Sequence, residues 1–370
     1  MSQRLNLTRI PCPGLKTKPE PGAKLGFGSL FTDFMFALDY TEGKGWHDAR
    51  IEPYAPLELD PSCMTLHYGQ TIFEGMKAYR GEDDSVRLFR PRLNFERMNV
   101  SAKRMGIPTL DVDLALQALE ALIRQEADWV PGEPGTSLYI RPFIFATEGH
   151  LGVRVAKTYR FLIILSPSGA YYESGLDPVS IYIEDEYVRA VRGGTGFAKT
   201  AANYAVSLLS QIVAKERGYE QVLWLDGVER RYIEEVGSMN VFFVIDGEPV
   251  TPVLNGSILP GITRRSVLEL LEHQGRPARE MRLAVDELME LARAGRVTEV
   301  FGTGTAAVIS PVGRLSYGEE SISFTYNPAD SLAYQLYDDL TGIQYGHKPD
   351  ELGWVHCVTP GRKPQTEGSL

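Results

Sequence analysis

The sequence predicts a two-domain protein in which each domain mixes β-strands with α-helices. Its 370 residues exceed the size at which a single hydrophobic core usually stops growing. Helix-like and strand-like stretches alternate along the chain, and the Asp-Gly pairs at 226–227 and 246–247 are typical of turns between antiparallel strands. With 43% hydrophobic and 23% charged residues, both domains can bury a core.

The first half of the chain begins with an irregular segment and continues with regular elements. Residues 1–28 are rich in Pro, Gly and Lys, which is typical of an N-terminal arm. Asp111 stands just before a stretch with helical apolar spacing and is a candidate N-cap. The predicted elements are one helix and two strands, at 112–129, 136–148 and 159–167.

The second half predicts strands joined by tight turns, with helices on either side of them. Because both Asp-Gly pairs lie in this region, we expect its strands to pair antiparallel. The predicted strands are 222–227, 228–235, 239–252 and 298–306. The predicted helices are 203–218, 262–275, 285–295 and 329–346.

A turn-rich stretch at 166–178 marks the expected boundary between the domains. The predicted segments are an N-terminal arm at 1–28, a small α/β domain at 29–170, an interdomain linker at 171–185 and a large α/β domain at 186–370.

Composition excludes several classes of partner. The formal net charge of -10 argues against nucleic acid and anionic membranes, because both are negatively charged. No apolar run approaches the roughly 20 residues that span a bilayer, and the first residues lack the apolar core of a secretory signal. The 3 cysteines and 6 histidines are scattered without a metal-binding pattern. We therefore expect a cytoplasmic protein without a metal ion.

The stretch GGTGFAKTAANYA, at 193–205, holds a single charged residue, Lys199. Small neighbours allow a lysine to be buried, and burial favours the neutral, nucleophilic amine. Such amines form Schiff bases with carbonyl compounds or with pyridoxal phosphate. The alternative is an exposed lysine in a flexible glycine loop.

The same stretch imitates a nucleotide-binding loop. GGTGFAKT differs from GxxxxGK[ST] only at Ala198, and Asp226 follows an apolar run as a magnesium ligand would. However, the charge-dense stretch 184–192 is a poor strand to precede such a loop, and Asp226-Gly227 is typical of a turn. A P-loop-like nucleotide binder is therefore a distant alternative.

Further motifs suit the chemistry of an electron-sink cofactor. Glu234 and Glu235 precede an apolar strand, where a carboxylate can pair with a protonated ring nitrogen. Gly261, in LPGITRRS, precedes a helix whose first amides can bind phosphate. The small-residue turn GTGTA at 302–306 can also present amides to an anion.

These motifs and their order, together with LHYGQTIFEGMKAYR at 66–80, resemble the branched-chain amino acid aminotransferases, a pyridoxal-phosphate family of fold type IV. The resemblance extends from about residue 25 to about residue 350. It implies the two-domain fold of D-amino acid aminotransferases, with mixed α+β and α/β character and the cofactor between the domains. It also implies a homodimer in which each subunit completes its partner's pocket.

The resemblance assigns cofactor-binding roles residue by residue. Lys199 is the implied catalytic lysine that forms the Schiff base, Glu235 faces the pyridine nitrogen, and Tyr204 hydrogen-bonds the ring hydroxyl oxygen. Glu234 matches no family role, and we expect it at the solvent-exposed rim. The implied phosphate-binding residues are Arg97, Ile262, Thr263 and Thr305.

Substrate-binding residues follow from the same resemblance. The implied residues of the same subunit are Phe73, Tyr139, Arg141, Tyr171, Thr305 and Ala306. The implied residues from the neighbouring subunit are Tyr68, Leu151 and Val153. Ala307 and Ser310 stand where mammalian members carry a CxxC pair, so we expect no thiol switch there.

The implied activity is transamination of leucine, isoleucine and valine with 2-oxoglutarate, by a ping-pong mechanism through Lys199. Arg141 and Tyr139 are the expected means of accepting the carboxylate of the second substrate. Two alternatives share the fold, a D-amino acid aminotransferase and an aminodeoxychorismate lyase, and a third is a binding or scaffolding dimer without catalysis.

Overall fold

The computed structural model describes residues 5–169 and 176–358. In these residues the strands are β1 (Thr8–Arg9), β2 (Phe34–Thr41), β3 (Gly45–Pro53), β4 (Thr71–Phe73), β5 (Met76–Arg80), β6 (Val86–Phe89), β7 (Ser137–Ala146), β8 (Thr158–Ser168), β9 (Val179–Glu184), β10 (Gln221–Leu225), β11 (Ile233–Val236), β12 (Met239–Ile245), β13 (Glu248–Pro252), β14 (Arg279–Met281), β15 (Val297–Gly304), β16 (Val308–Tyr317), β17 (Glu320–Ser323) and β18 (Val355–Val358). The helices are α1 (Met64–Tyr68), α2 (Pro91–Met105), α3 (Val112–Gln125), α4 (Ala202–Ala205), α5 (Leu208–Glu216), α6 (Ile262–His273), α7 (Val285–Arg293) and α8 (Leu332–Tyr345), with a 3₁₀ turn at Ala127–Trp129.

Two nine-stranded sheets organise the molecule. The first has the order β1-β3-β2-β8-β7-β5-β6-β18, with β4 paired to β7. The second has the order β11-β10-β9-β16-β15-β12-β13-β14, with β17 paired to β16 and a further pairing of β11 with β12. Most neighbours are antiparallel, and the parallel pairs are β1 with β3, β9 with β10 and with β16, and β13 with β14.

Strand β12 shows why the second sheet is covered on both faces. All seven of its residues are buried. Val241 and Phe243 point into a core shared with Leu288 of α7, whereas Phe242 and Val244 belong to a second core with α6 and α8. Because side chains alternate along a strand, an unbroken apolar run requires an apolar layer on each side.

The first sheet packs against α2 and α3, which share a core with it. Asp111 caps α3 as predicted, because its carboxylate accepts hydrogen bonds from the amides of Asp113 (2.8 Å) and Leu114 (3.1 Å). The predicted helix at 112–129 ends at Gln125, and the predicted strands at 136–148 and 159–167 correspond to β7 and β8.

Two predicted elements of the second half were wrong in detail. The single helix expected at 203–218 is broken into α4 and α5, where the Ser207 hydroxyl donates to the Tyr204 carbonyl (2.8 Å). Residues 228–232 form a loop rather than a strand, because the Asp226 carboxylate accepts hydrogen bonds from backbone amides across that segment. The turn at Asp246-Gly247 and the antiparallel pairing around it are confirmed.

The chain passes between the two sheets twice. Strand β9, inside the interval 171–185, pairs with strands of the second sheet, and β18 returns to pair with β6 of the first. The N-terminal segment contributes β1, which pairs with β3. The predicted segment boundaries stay a prediction. Among the helices of the described ranges, none is long and apolar enough to cross a membrane.

Candidate active site

A cavity of about 170 Å³ lies where the first sheet, α2, the N-terminus of α6 and the β15–β16 turn meet. Its lining brings together most of the residues that the sequence predicts for the cofactor and the substrate. Those in the lining are Phe73, Arg97, Tyr139, Arg141, Lys199, Tyr204, Glu235, Ile262, Thr263, Thr305 and Ala306.

The segment that carries Lys199 is fixed to both halves of the molecule. The Lys199 amide donates to the Ser101 hydroxyl of α2 (2.8 Å), and its carbonyl accepts from the Phe73 amide (3.0 Å). On the other side, a Cβ on Gly196 would overlap the Ser257 carbonyl oxygen, so this close approach of two backbones requires glycine. The turn that carries Lys199 is therefore held in place by contacts on both sides.

The amine of Lys199 is half-buried and points at an aromatic pair. Its Nζ donates to the Tyr204 hydroxyl oxygen at 2.5 Å and lies 4.6 Å from the centre of the Phe73 ring. This placement contradicts the alternative of an exposed lysine in a flexible loop. An amine in these surroundings is positioned to react with a carbonyl group bound in the cavity.

The nucleotide-loop alternative is also contradicted by the geometry. Strand β9 ends at Glu184, well before Gly193, so no strand runs directly into the glycine stretch. The Asp226 carboxylate, which would have to bind magnesium, instead holds the loop that follows it through hydrogen bonds to four amides.

Glu235 lies on β11 and is 4% exposed. One of its oxygens pairs with Arg189 Nη2 at 2.7 Å, and the other accepts from the Leu259 amide and the Asn240 side chain, both at 3.1 Å. Burial raises the pKa of Glu235, and the charge of Arg189 opposes that rise. The carboxylate is thus held at a fixed place in the cavity wall, as a partner for a cationic ring nitrogen must be.

The N-terminus of α6 provides an anion site. Its N-cap is Gly261, which has no side chain to accept a hydrogen bond from the first-turn amides, so those amides are open to a ligand. Arg97 of α2 reaches the same place, since its Nη1 donates to the Pro260 carbonyl at 3.1 Å. A guanidinium and a helix N-terminus side by side suit a phosphate.

The predicted substrate residues line the same cavity. Arg141 lies over the Phe73 ring (4.7 Å) and donates to the Tyr139 hydroxyl (3.0 Å). Thr305 and Ala306, in the turn between β15 and β16, belong to the same lining. Lys77 supports this turn by donating from Nζ to the Ala306 carbonyl (2.6 Å), and burial lowers the pKa of Lys77 to about 8.

Three predicted substrate residues lie outside this lining. Tyr68, Leu151 and Val153 are on the surface, at 40%, 63% and 83% exposure, and the Tyr68 hydroxyl donates to the Leu151 carbonyl. They were expected to serve the neighbouring subunit's pocket, and that role stays a prediction. Tyr171, also predicted to bind substrate, lies outside the described residues.

The expectation that Glu234 is a solvent-exposed rim carboxylate was wrong. Glu234 is 2% exposed, and one of its oxygens accepts hydrogen bonds from the Ser257 hydroxyl and from Asn255 Nδ2 (2.9 Å). These hydrogen bonds fix the loop that leads to Gly261, the N-cap of α6.

Several residues that shape the site were not predicted from the sequence. Glu74 pairs with Arg97, and Arg189 pairs with Glu235, in each case inside the protein. Phe27, from the segment expected to be an irregular arm, packs edge-on against Tyr139 with ring centres 4.9 Å apart. The available signals were weak, because Glu74 is a lone charge between apolar residues and Arg189 lies in a charge-dense stretch.

Comparison with known proteins identifies the family. The sequence profile of the class IV aminotransferases matches residues 71–315. This chain belongs to the class IV aminotransferases. Branched-chain-amino-acid aminotransferase 2 of Bacillus subtilis is 57% identical over 340 residues, which cover 92% of this chain and 93% of that protein.

Solved aminotransferases have the same fold. The branched-chain amino acid aminotransferase of Escherichia coli superimposes with a TM-score of 0.72 at 27% identity, covering 87% of this chain and 99% of that one. The branched-chain amino acid aminotransferase of Thermobaculum terrenum, solved in its PLP-form, gives a TM-score of 0.71 at 22% identity, covering 87% of this chain and 98% of that one. The predicted family and its mixed α/β fold are confirmed.

The donor set of the cavity fits the pyridoxal phosphate of this family. A phosphate dianion suits Arg97 and the open amides of α6, and a protonated ring nitrogen suits Glu235. In addition, Thr303 Oγ1 and Arg141 Nε are buried without a hydrogen-bond partner in the described chain. Unpartnered polar atoms at a cavity are expected where a ligand completes the site.

Proposed function

We propose that this aminotransferase transfers the amino group of leucine, isoleucine or valine to 2-oxoglutarate, with pyridoxal phosphate as cofactor, and releases branched-chain 2-oxo acids and L-glutamate. The observation that carries the proposal is that Lys199, Glu235 and the anion site at α6 line one cavity. The high identity to branched-chain aminotransferases over nearly the full chain supports the substrate class.

Three residues have distinct roles at the cofactor: Lys199, Tyr204 and Glu235. Pyridoxal phosphate, when bound, supplies a carbonyl carbon that accepts amines and a ring that takes up the electrons released at the substrate Cα. The Lys199 amine would hold the cofactor at its carbonyl carbon. When it is not bonded to the cofactor, the same amine would act as the general base for the Cα proton of the substrate.

Glu235 keeps a proton on the ring nitrogen, and Arg189, 2.7 Å away, favours the charged form of Glu235 that this task needs. Tyr204 is positioned to hydrogen-bond the ring hydroxyl oxygen, because its own hydroxyl already lies 2.5 Å from Lys199 Nζ. Arg97, Thr305 and the amides of Ile262 and Thr263 hold the phosphate.

The substrate end must accept both an apolar side chain and a carboxylate. Phe73 and Tyr139 provide aromatic surface in the lining for an aliphatic chain. Arg141, which lies over both rings, offers a cation that can meet the side-chain carboxylate of 2-oxoglutarate. The amides of Thr305 and Ala306 bind the carboxylate that both substrates share, and Lys77 holds their turn in place. We assign Tyr171 to the same pocket on the resemblance alone.

Exposed apolar side chains support the proposed homodimer. Four apolar side chains on α5 and on the turn between α4 and α5 are each more than half exposed, a concentration that is unusual on a monomer surface: Val206, Leu208, Leu209 and Ile212. Tyr68, Leu151 and Val153 form a second exposed group, from which we infer that each subunit reaches its partner's pocket. We also propose that the enzyme works in the cytoplasm. We propose that its chain forms a small domain at 29–170 and a large domain at 186–370.

Absorption spectroscopy of the purified protein tests the proposal. We expect L-leucine alone to remove the visible band of the bound cofactor and 2-oxoglutarate to restore it. A band that ignores L-leucine but responds to D-alanine or to aminodeoxychorismate would favour one of the two related activities instead. Lys199→Ala is the matched control, and turnover by that variant would contradict the assignment of the lysine.

A further inference from the structure

Glu74 is a buried carboxylate with no part in the proposed chemistry. It lies between β4 and β5, is 0% exposed, and its amide donates to the Pro142 carbonyl (2.8 Å). A carboxylate in such a place is unfavourable unless donors surround it, so its partners indicate why it is there.

The principal partner of Glu74 is Arg97. Nε of Arg97 donates to Oε1 of Glu74 and Nη2 donates to Oε2, both at 2.8 Å, which is a two-point pair of planar groups. Asn94 Nδ2 (2.9 Å) and the Gly75 amide (3.2 Å) donate to Oε2 as well. This arrangement fixes both the position and the plane of the guanidinium.

The remaining donors of Arg97 are left for a ligand. Of the five N–H groups of a guanidinium, two go to Glu74 and one, on Nη1, goes to the Pro260 carbonyl (3.1 Å). One N–H on each terminal nitrogen is then unassigned. Arg97 lines the cavity together with Ile262 and Thr263, whose helix N-terminus is the anion site.

We propose that Glu74 is a positioning residue for the cofactor phosphate: it acts through Arg97, holding the guanidinium so that its two remaining donors face the phosphate beside α6. The inference rests on the proposed function. Glu74 does not touch the phosphate. Its contribution is preorganisation, because an arginine that is already fixed loses little conformational entropy when the anion arrives.

A competing account gives the opposite expectation. If Glu74 only competed with the phosphate for Arg97, its removal would leave a stronger positive potential at the anion site and cofactor binding would tighten. Under our proposal, removing the carboxylate frees the guanidinium to rotate, and binding weakens. The two accounts therefore differ in the sign of the change in affinity.

The experiment compares two probes that differ only in the phosphate. We would titrate the apoenzyme with pyridoxal 5′-phosphate and with pyridoxal, following absorbance, in the wild type, Glu74→Gln, Arg97→Gln and the double variant. We expect Glu74→Gln to weaken pyridoxal phosphate binding about tenfold or more, as loss of a supporting partner does at other ligand sites. Pyridoxal affinity should change less than about twofold.

The double variant tests whether Glu74 acts through Arg97. If it does, the double variant binds pyridoxal phosphate no more weakly than Arg97→Gln alone. Glu126→Gln, a buried carboxylate outside the cavity lining, is the control and should leave the ratio of the two affinities unchanged. If Glu74→Gln does not fold, Glu74→Asp serves instead, since the shorter side chain cannot make both bonds to the guanidinium.

An equal loss of affinity for both probes would overturn the proposal, because Glu74 would then shape the pocket in general. Tighter binding of pyridoxal phosphate, or additive losses in the double variant, would overturn it as well. Failure of the proposed function gives a different result, since the wild-type protein would then take up no pyridoxal phosphate.

Discussion

Replacing Arg189 with Gln tests how the protein controls the charge of Glu235. Arg189 Nη2 lies 2.7 Å from Glu235 Oε2, and both side chains are almost entirely buried, at 7% and 6% exposure. Burial raises the pKa of Glu235 and Arg189 opposes that rise, so Arg189→Gln leaves the effect of burial with less opposition. The pKa of Glu235 must then rise further.

The pair distance sets the size of the effect. Opposite charges 2.7 Å apart attract by about 6 kcal/mol at an effective dielectric constant of about 20. That energy is an upper limit for what the substitution removes. The Leu259 and Asn240 donors remain in the variant and still stabilise the carboxylate, so they reduce the upward change of the pKa of Glu235. Because Glu235 must be charged to keep the ring nitrogen protonated, activity is lost as pH falls through this pKa.

The assay is kcat and kcat/KM against pH, from about pH 5 to about pH 9, with a branched-chain substrate pair. We expect the acid limb of kcat to move to higher pH in Arg189→Gln, with partial recovery of activity at alkaline pH. Arg192→Gln, an exposed arginine in the same segment, is the matched control and should keep the wild-type profile. Superimposable profiles of Arg189→Gln and wild type would show that Arg189 does not control the charge of Glu235.

Two further predictions concern the pH dependence of stability and the backbone contact between Gly196 and Ser257. Burial raises the pKa of Glu126 to about 7 from 4.5, so the folded protein keeps a proton that the unfolded chain loses. The free energy of unfolding should therefore fall by about 3 kcal/mol as pH rises from about 4.5 to about 7. Thermal melts of Glu126→Gln over this pH range should lack this fall. The same pH dependence of the melting temperature in both proteins would contradict the prediction. Gly196→Ala should displace the turn from Ser257 and abolish stable cofactor uptake in an absorbance titration, whereas Gly14→Ala, with open space around it, should bind normally. Normal cofactor uptake by Gly196→Ala would show that the close contact between Gly196 and Ser257 is not needed for cofactor binding.

Local patterns predicted those parts of the fold and site in which a short stretch determines its own structure. The apolar run of β12, the Asp111 cap and the Asp246-Gly247 turn are of this kind. The small residues around Lys199 also predicted a buried amine, although the long-range contact with the Ser257 carbonyl that requires Gly196 could not be predicted from the stretch itself.

The missed features depend on side chains that meet only in the folded chain. Glu74 and Arg97 are 23 residues apart, on a strand junction and a helix, and nothing local marks either as buried. Glu234 was expected at the rim because charge usually stays in solvent, yet Ser257 and Asn255, 23 and 21 residues away, donate to one of its oxygens inside the protein. Arg189 was hidden in a stretch whose other charges are mostly exposed.

The proposed function depends on Lys199 being the amine that holds the cofactor. Borohydride reduction of the holoenzyme fixes the cofactor covalently to the amine that carries it, and peptide mass spectrometry then locates that residue. We expect a single modified peptide, at Lys199, and its absence in Lys199→Ala. Modification at Lys77, the other lysine beside the cavity turn, would contradict it.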